Sequence, residues 1–182
     1  MTKRLVKAPV GLPVSLAAAI SKARADGAGM DDEIDLEVRG IAGDVQHQLQ
    51  RALIEQTWVV TLDRFPDAIK LPMAAPLIAV EHVKYYDVDG ALRTLHPDDY
   101  LVDSASEPAY VLPAPGKAWP ATADRINAVE VQYRCGFGVD HTAVPAQIQS
   151  YILGRIEATY APAESRNAQF LDGLLDRYRV YG

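Results

Sequence analysis

The chain has 182 residues, a length that suits one domain or one domain with a substantial insertion. It is 49% hydrophobic and 23% charged, the composition of an ordinary globular fold. The formal net charge is −6; nucleic-acid affinity is built from Lys and Arg neutralising phosphates, so this balance argues against a dedicated DNA-binding module. No run reaches the roughly 18–20 apolar residues that a membrane helix needs. The basic amino terminus, Met1 to Lys7, lacks the apolar core of a secretory signal. The single cysteine, Cys135, has no internal disulfide partner, which agrees with a reducing compartment. The expectation is a protein made and used in a cytoplasm.

Taken in order, the chain reads helix, then strand, then helix. Ser15 is a good N-cap for an alanine-rich helix from Leu16 to Ala25, which Asp26-Gly27 ends. Asp31 or Asp32 can cap a longer one, because acidic side chains accept from the free N–H groups there. Ile34, Val38, Ile41, Val45, Leu49 and Ala52 recur at steps of three or four and so share a face. A helix from Asp32 to Ile54 would be roughly 33 Å long at a rise of 1.5 Å per residue. The pattern changes at Glu55, and Gln56 to Asp63 reads as a strand rich in β-branched and aromatic residues, ended by Pro66.

A second strand is expected from Leu77 to Tyr86, with Val80, His82, Lys84 and Tyr86 on one face and Glu81, Val83 and Tyr85 on the other. Asp89-Gly90 is a hairpin turn signal, with Ala91 to Leu95 as the return strand. Tyr100 to Val102, Ala109 to Leu112 and Val129 to Arg134 are further strands, and Pro113 to Ala128 is a loop with Trp119 tucked against the sheet. Helix resumes after Pro145, where Ile148, Ile152, Ile156 and Tyr160 form a stripe closed by Ala161-Pro162. Ser165 can cap a last helix whose apolar face is Phe170, Leu171, Leu174, Leu175 and Tyr178. The fold class is therefore α+β: a helical bundle of about four helices with an inserted antiparallel β-rich subdomain. The expected division is 1–55 with 139–182 as the helical core and 56–138 as the β-rich insertion.

The pattern holds no catalytic constellation. His47, His82, His96 and His141 lack the i, i+4 spacing of a helical zinc site. No Gly-x-Ser-x-Gly elbow exposes a serine, and Cys135 has no nearby base, so it reads as a buried, inert thiol. Gly136-Phe-Gly138 is only a fragment of a phosphate-binding loop. Asp87-Val-Asp89-Gly90 resembles the opening of a calcium loop but lacks its third acidic ligand and its closing glutamate, so a hairpin turn is expected. Asp98, Asp99 and Asp103 read as a solvated turn. Trp58, Tyr85, Tyr86 and Tyr110 read as core or interface aromatics rather than a base-stacking platform. No enzyme activity, cofactor or metal site is expected.

Several stretches, in order, carry a family resemblance: Pro13-Val-Ser-Leu-Ala, Arg51-Ala-Leu-Ile-Glu-Gln-Thr-Trp58, Asp63-Arg-Phe-Pro66, Leu71-Pro72, and Pro76-Leu77 before a Val80-x-x-Val83-x-Tyr85 strand. Asp98-Asp-Tyr100-x-Val102-Asp103, Trp119-Pro120, Val131-x-Tyr-Arg-Cys-Gly-Phe-Gly138, Val144-Pro145-x-x-Ile148 and Leu174-Leu-x-x-Tyr178-Arg-Val180 follow. Together they resemble the tailed-phage head–tail connector (adaptor) family of the gp6-like kind, in its longer form with a β-rich insertion. One departure stands out. The family carries Thr-Gly-Arg where this chain has Leu49-Gln50-Arg51, and loss of that glycine implies a stiffer helix end that runs further.

The resemblance implies a structural adaptor of a phage or prophage, assembled beneath the portal protein as a homo-oligomeric ring of about twelve copies. Such a ring extends the channel, lets DNA pass without specific binding, and presents a platform to a neck or tail-completion protein. It would act at the head–tail junction of the virion after assembly in the host cytoplasm. The family's carboxyl-terminal helix docks on the portal, which implies an interface of Phe170, Leu171, Leu174, Leu175, Arg177, Tyr178, Arg179 and Tyr181. An apolar stripe flanked by arginines also suits an anchor lying in a groove, although a core helix with a frayed end would carry the same pattern. The acidic balance implies a ring whose inner wall is mostly negative, since a DNA channel should not hold phosphates tightly. The alternatives are another phage neck or tail-completion protein, or, from a different class, a small-ligand-binding or enzymatic β-rich domain.

Overall fold

The structure is a computed structural model and describes residues 1–162 and 169–180. It divides into two compact units, one of Met1–Ala8 with Gln56–Gly136 and the other of Pro9–Glu55 with Phe137–Val180. Three α-helices, all in the second unit, and eight strands, all in the first, occur among the described residues. The α+β class holds, with three α-helices where about four were expected.

In the helical unit, α1 spans Leu16–Ala23 and begins where Ser15 accepts from the Ala18 amide at 3.5 Å. It stops two residues short of the expected end, because Arg24 turns left-handed (φ 55°) and gives its N–H back to the last turn. The second helix, α2, spans Asp31–Leu49. Its cap is Met30 without a side-chain bond, and Asp31, Asp32 and Glu33 instead place negative charge on the first turn, where the free N–H groups favour it. Ile34, Val38, Ile41, Val45 and Leu49 are buried on one face, as their spacing predicts. The helix does not run on to Ile54. Gln50 adopts φ 54° and ends it, taking the conformation that suits a glycine even though a glutamine stands there; its side chain donates to the His47 carbonyl at 2.7 Å.

The third helix, α3, spans Ala146–Tyr160 and buries Ile148, Ile152 and Ile156 against α1 and α2. Among the described residues the expected fourth helix is not an α-helix: Gln169–Leu174 and Asp176–Tyr178 are short 3₁₀ segments, and the candidate cap Ser165 lies outside the described residues. Leu171 and Leu175 nevertheless enter the same core as Val38, Leu49 and Ile152. Fully burying each such side chain is worth about 1.5–3 kcal/mol.

In the β unit, β1 (Thr2–Lys7), β2 (Gln56–Leu62), β4 (Leu77–Tyr86), β5 (Leu92–Thr94) and β8 (Val129–Cys135) form a five-stranded antiparallel sheet in the order β1-β2-β8-β4-β5. A smaller sheet has the order β3-β7-β6, with β3 at Ile69–Lys70, β6 at Tyr100–Asp103 and β7 at Tyr110–Pro113. Thr2–Lys7, part of the 1–55 stretch expected in the helical core, runs here as an edge strand. Every residue of β1 is exposed, so no alternation of burial marks it in the sequence. In β8 the alternation is complete: Val129, Val131, Tyr133 and Cys135 are buried, while Glu130, Gln132 and Arg134 point the other way.

The expected faces of β4 hold only from His82 onward. Val80 pairs with Tyr133 and His82 with Gln132, so the extra residue Glu81 forms a bulge that turns Val80 to the opposite face from His82 and Lys84. Glu81 reaches Gln132 at 2.5 Å and Arg134 at 3.2 Å, and His82 meets Glu130 at 3.2 Å, giving the sheet a polar outer face. The inner face buries Val60, Val83 and Val131, and the Tyr133 hydroxyl donates to the Pro72 carbonyl at 2.5 Å. Trp119 stacks on Phe65 with centroids 4.6 Å apart, and Phe65 tilts onto Tyr85 at 5.7 Å. The loop is thus fastened by rings.

Two glycine positions test this account of the helical unit. Gln50→Gly should raise stability by about 0.5–1 kcal/mol by relieving the left-handed glutamine. Gly11→Ala should lower it by about 1–3 kcal/mol, since a Cβ there collides with the Val139 carbonyl oxygen. Urea midpoints at unchanged slope measure both.

Candidate functional site

The carboxyl-terminal segment is the site proposed from sequence, and the reason it lies where it does begins at the end of α2. The last carbonyls of a helix have no partner within it. Here the Leu49 carbonyl accepts from the Val180 amide at 3.1 Å, and the Gln46 carbonyl accepts from the Arg51 amide at 3.3 Å. Arg51 is itself buried, 4% exposed, and its Nε donates to the Tyr178 carbonyl at 2.8 Å. Its guanidinium lies 5.7 Å from the Phe137 ring centroid and 6.0 Å from that of Tyr178, within cation–π range. The Tyr178 hydroxyl donates to the Gln147 side-chain oxygen at 2.9 Å, fastening the segment to α3. Further along, the Leu171 methyl groups occupy the space a side chain at Gly154 would need.

The eight proposed interface residues therefore separate. Leu171 and Leu175 are buried in the chain's own core, and Leu174 and Tyr178 are partly buried against it. Arg177 is exposed, its guanidinium 5.1 Å from the Tyr178 ring, and Arg179 is partly exposed with Asp176 at 3.7 Å. Tyr181 and the Phe170 side chain lie outside the described residues. Among the described residues of the eight, Arg177 is the exposed side chain, and Leu174, Tyr178 and Arg179 are partly exposed. Arg51 heads the Arg51-Ala-Leu-Ile motif but carried no role in the sequence reading. Its only sequence signal is an arginine among apolar residues beside a helix end.

Elsewhere the chemistry is that of a stable surface and core. Asp87 accepts from Arg93 and from the Ala91 and Asp89 amides, which hold its carboxyl below the usual carboxylate range; the segment is a hairpin turn with Gly90 at φ 79°. Asp99 is lowered by Lys117 at 2.7 Å, and Asp103 by Ser106. Among the described residues, no three acidic, histidine or cysteine side chains gather as a metal site. The β unit has an open depression of about 280 Å³ to which Thr61, Lys84, Tyr86, Arg125 and Glu130 contribute. Arg125 stacks on Tyr86 with its guanidinium 3.9 Å from the ring centroid. Cys135 is fully buried and its thiol is pushed up to about 12 by desolvation.

No family model matches the chain, and no curated protein sequence matches it. Solved structures do match over its whole length. A chain from the virion of a native gene transfer agent particle aligns with a TM-score of 0.81 and 20% identity, covering 100% of this chain and 97% of that one. The chain is similar in fold to that particle chain. A chain from the neck of an empty particle of this kind, computed with C6 symmetry, gives a TM-score of 0.79 at 20% identity. One from the neck of a native particle, computed with C12 symmetry, gives 0.68 at 19%. Both cover 100% of this chain and 97% of their own. The shared fold includes both the helical and the β-rich unit, since the matches span the full chain.

Arg51→Met should leave the fold intact but cost about 1.5–3 kcal/mol through loss of a charged hydrogen bond. Hydrogen exchange at the Val180 amide should accelerate with it. Cys135, by contrast, should resist maleimide at pH 8 in the native protein and react fully once unfolded, since the thiolate is the reactive form.

Proposed function

We propose that this chain is a structural, non-enzymatic component of the neck of a tailed-phage-like particle: an adaptor that forms a ring beneath the portal and joins head to tail. The observation that carries the reading is the match of the entire chain to chains of gene transfer agent particles, two of them from necks computed with C6 and C12 symmetry. The ordered motifs of the sequence agree with it. In this role the chain acts at the head–tail junction of a virion, with the portal on one side and a neck or tail-completion protein on the other.

Charge placement supports a channel. The helix α2 carries six carboxylates against one arginine, and Asp31, Asp32, Glu33 and Asp44 are exposed. A wall formed by this helix would repel phosphates and let DNA slide. The portal contact falls to Arg177, Tyr178 and Arg179, because Leu171 and Leu175 already support the core. Arginine and tyrosine are the side chains that dominate binding energy at protein interfaces.

Mixing the purified chain with its cognate portal and measuring the mass of the product tests the reading. A discrete ring-on-portal complex is expected, and persistent failure to associate would overturn it. Association only with a tail-side protein would assign the chain to a lower position in the neck. Within the complex, Arg177→Glu should weaken portal binding about tenfold or more without changing stability. Leu175→Ala should instead lower stability by about 2–5 kcal/mol.

A further inference from the structure

The five-stranded sheet of the β unit ends in two open edges. One is β1, exposed along all six residues, with no backbone hydrogen bond among the described residues other than to β2. The other is β5, whose Leu92, Arg93 and Thr94 are all exposed. On β5 the direction of the backbone can be read from its neighbours. The Asp87 amide donates to the Ala91 carbonyl and the Leu95 amide to the Val83 carbonyl, so Ala91, Arg93 and Leu95 turn their polar groups toward β4. Leu92 and Thr94 therefore turn theirs outward, where a further strand could pair with them.

We infer that β1 of one copy adds as a strand to β5 of the next, so that the sheet continues from copy to copy. This names the contact between copies within the ring proposed above and rests on that reading. Three observations select the partner. First, β1 carries Lys3, Arg4 and Lys7 with no acidic residue, so pairing two β1 strands sets like charges against each other. At the β5 edge Arg93 and Asp87 neutralise each other at 2.7 Å, and the exposed Asp89 of the turn leaves a net negative charge there for β1 to meet. Second, both edges expose apolar side chains that pairing would cover: Leu5 and Val6 on β1, Val88 and Leu92 at β5. Third, the edges lie at opposite ends of one sheet, so their contact is head-to-tail, the type that generates a ring when the rotation closes. Backbone pairing at a sheet edge is a known mode of recognition and needs little side-chain specificity.

The test uses the full chain carrying Val6→Cys and Leu92→Cys together, treated with a short bismaleimide, both free at rising concentration and in the portal mixture. The native Cys135 is buried and does not compete. Head-to-tail pairing predicts a ladder of dimers, trimers and higher species. Each single variant should give no ladder, and a mixture of the two singles should stop at dimers. Thr94→Pro, which removes an outward N–H while leaving the bonds to β4, should cut ring formation about tenfold per interface. Rings of undiminished yield in Thr94→Pro, with no ladder in the double variant, would overturn the edge pairing and leave the neck reading intact. Where no ring forms on the portal the neck reading fails; a ladder from the free protein then still supports the pairing, and its absence overturns that as well.

Discussion

The helical unit depends on one closure. Its two stretches are separated in the chain by the whole β-rich excursion, and they are joined where the chain leaves and where it returns. The Phe137 amide donates to the Leu53 carbonyl at 3.2 Å and the Glu55 amide to the Gly138 carbonyl at 2.7 Å. Gly11 lies directly against the Val139 carbonyl, and Gly138 against the Ala143 methyl group. No side chain fits at either glycine without displacing its neighbour. With the ends held in this way the length of the excursion matters little, because each doubling of a loop adds only about 0.6 kcal/mol of closure entropy. A β-rich unit of this size can therefore be carried without loosening the helices.

The same closure decides what the carboxyl terminus does. Gln50 ends α2 early, which leaves the Leu49 carbonyl open to the Val180 amide and brings buried Arg51 under Tyr178. Had α2 run to Ile54, those groups would lie within a helix and the segment would lose its seat. The segment is thus an integral part of the helical core in the single chain, with Leu171 and Leu175 inside. On the neck reading, recognition at this end must come from exposed Arg177 and from the parts of Tyr178 and Arg179 that the core leaves uncovered.

Much of this was legible in the sequence wherever burial on one face imposes a period. The stripe from Ile34 to Leu49 and the stripe from Ile148 to Ile156 appeared at their expected places, and the strand expected over Val129 to Arg134 is present, one residue longer. What escaped was local or context-dependent. β1 has no buried side, so nothing in its composition separates it from a basic tail. The bulge at Glu81 shifts a face without changing any residue type, since β4 is mixed in character on both sides. The last apolar run has helical spacing but folds as 3₁₀ segments, because its seat on α2 and α3 is tertiary and propensity does not encode it. Of the candidate interface, sequence located the segment; only the packing shows which of its side chains face outward.

The charge that sequence gives as a single number is, in the fold, divided. Carboxylates concentrate on α2 in the helical unit, while β1 at the edge of the β unit is purely basic. A balanced surface would do equally well for solubility, so this segregation asks for a reason in the way the molecule is used. On the neck reading the two regions answer to different neighbours. The acidic helix suits a channel wall that must not grip phosphate, and the basic edge disfavours pairing with its own kind. A chain built this way gains its specificity from what it repels as much as from what it binds, and open strand edges that would otherwise invite aggregation are restricted to one direction of assembly.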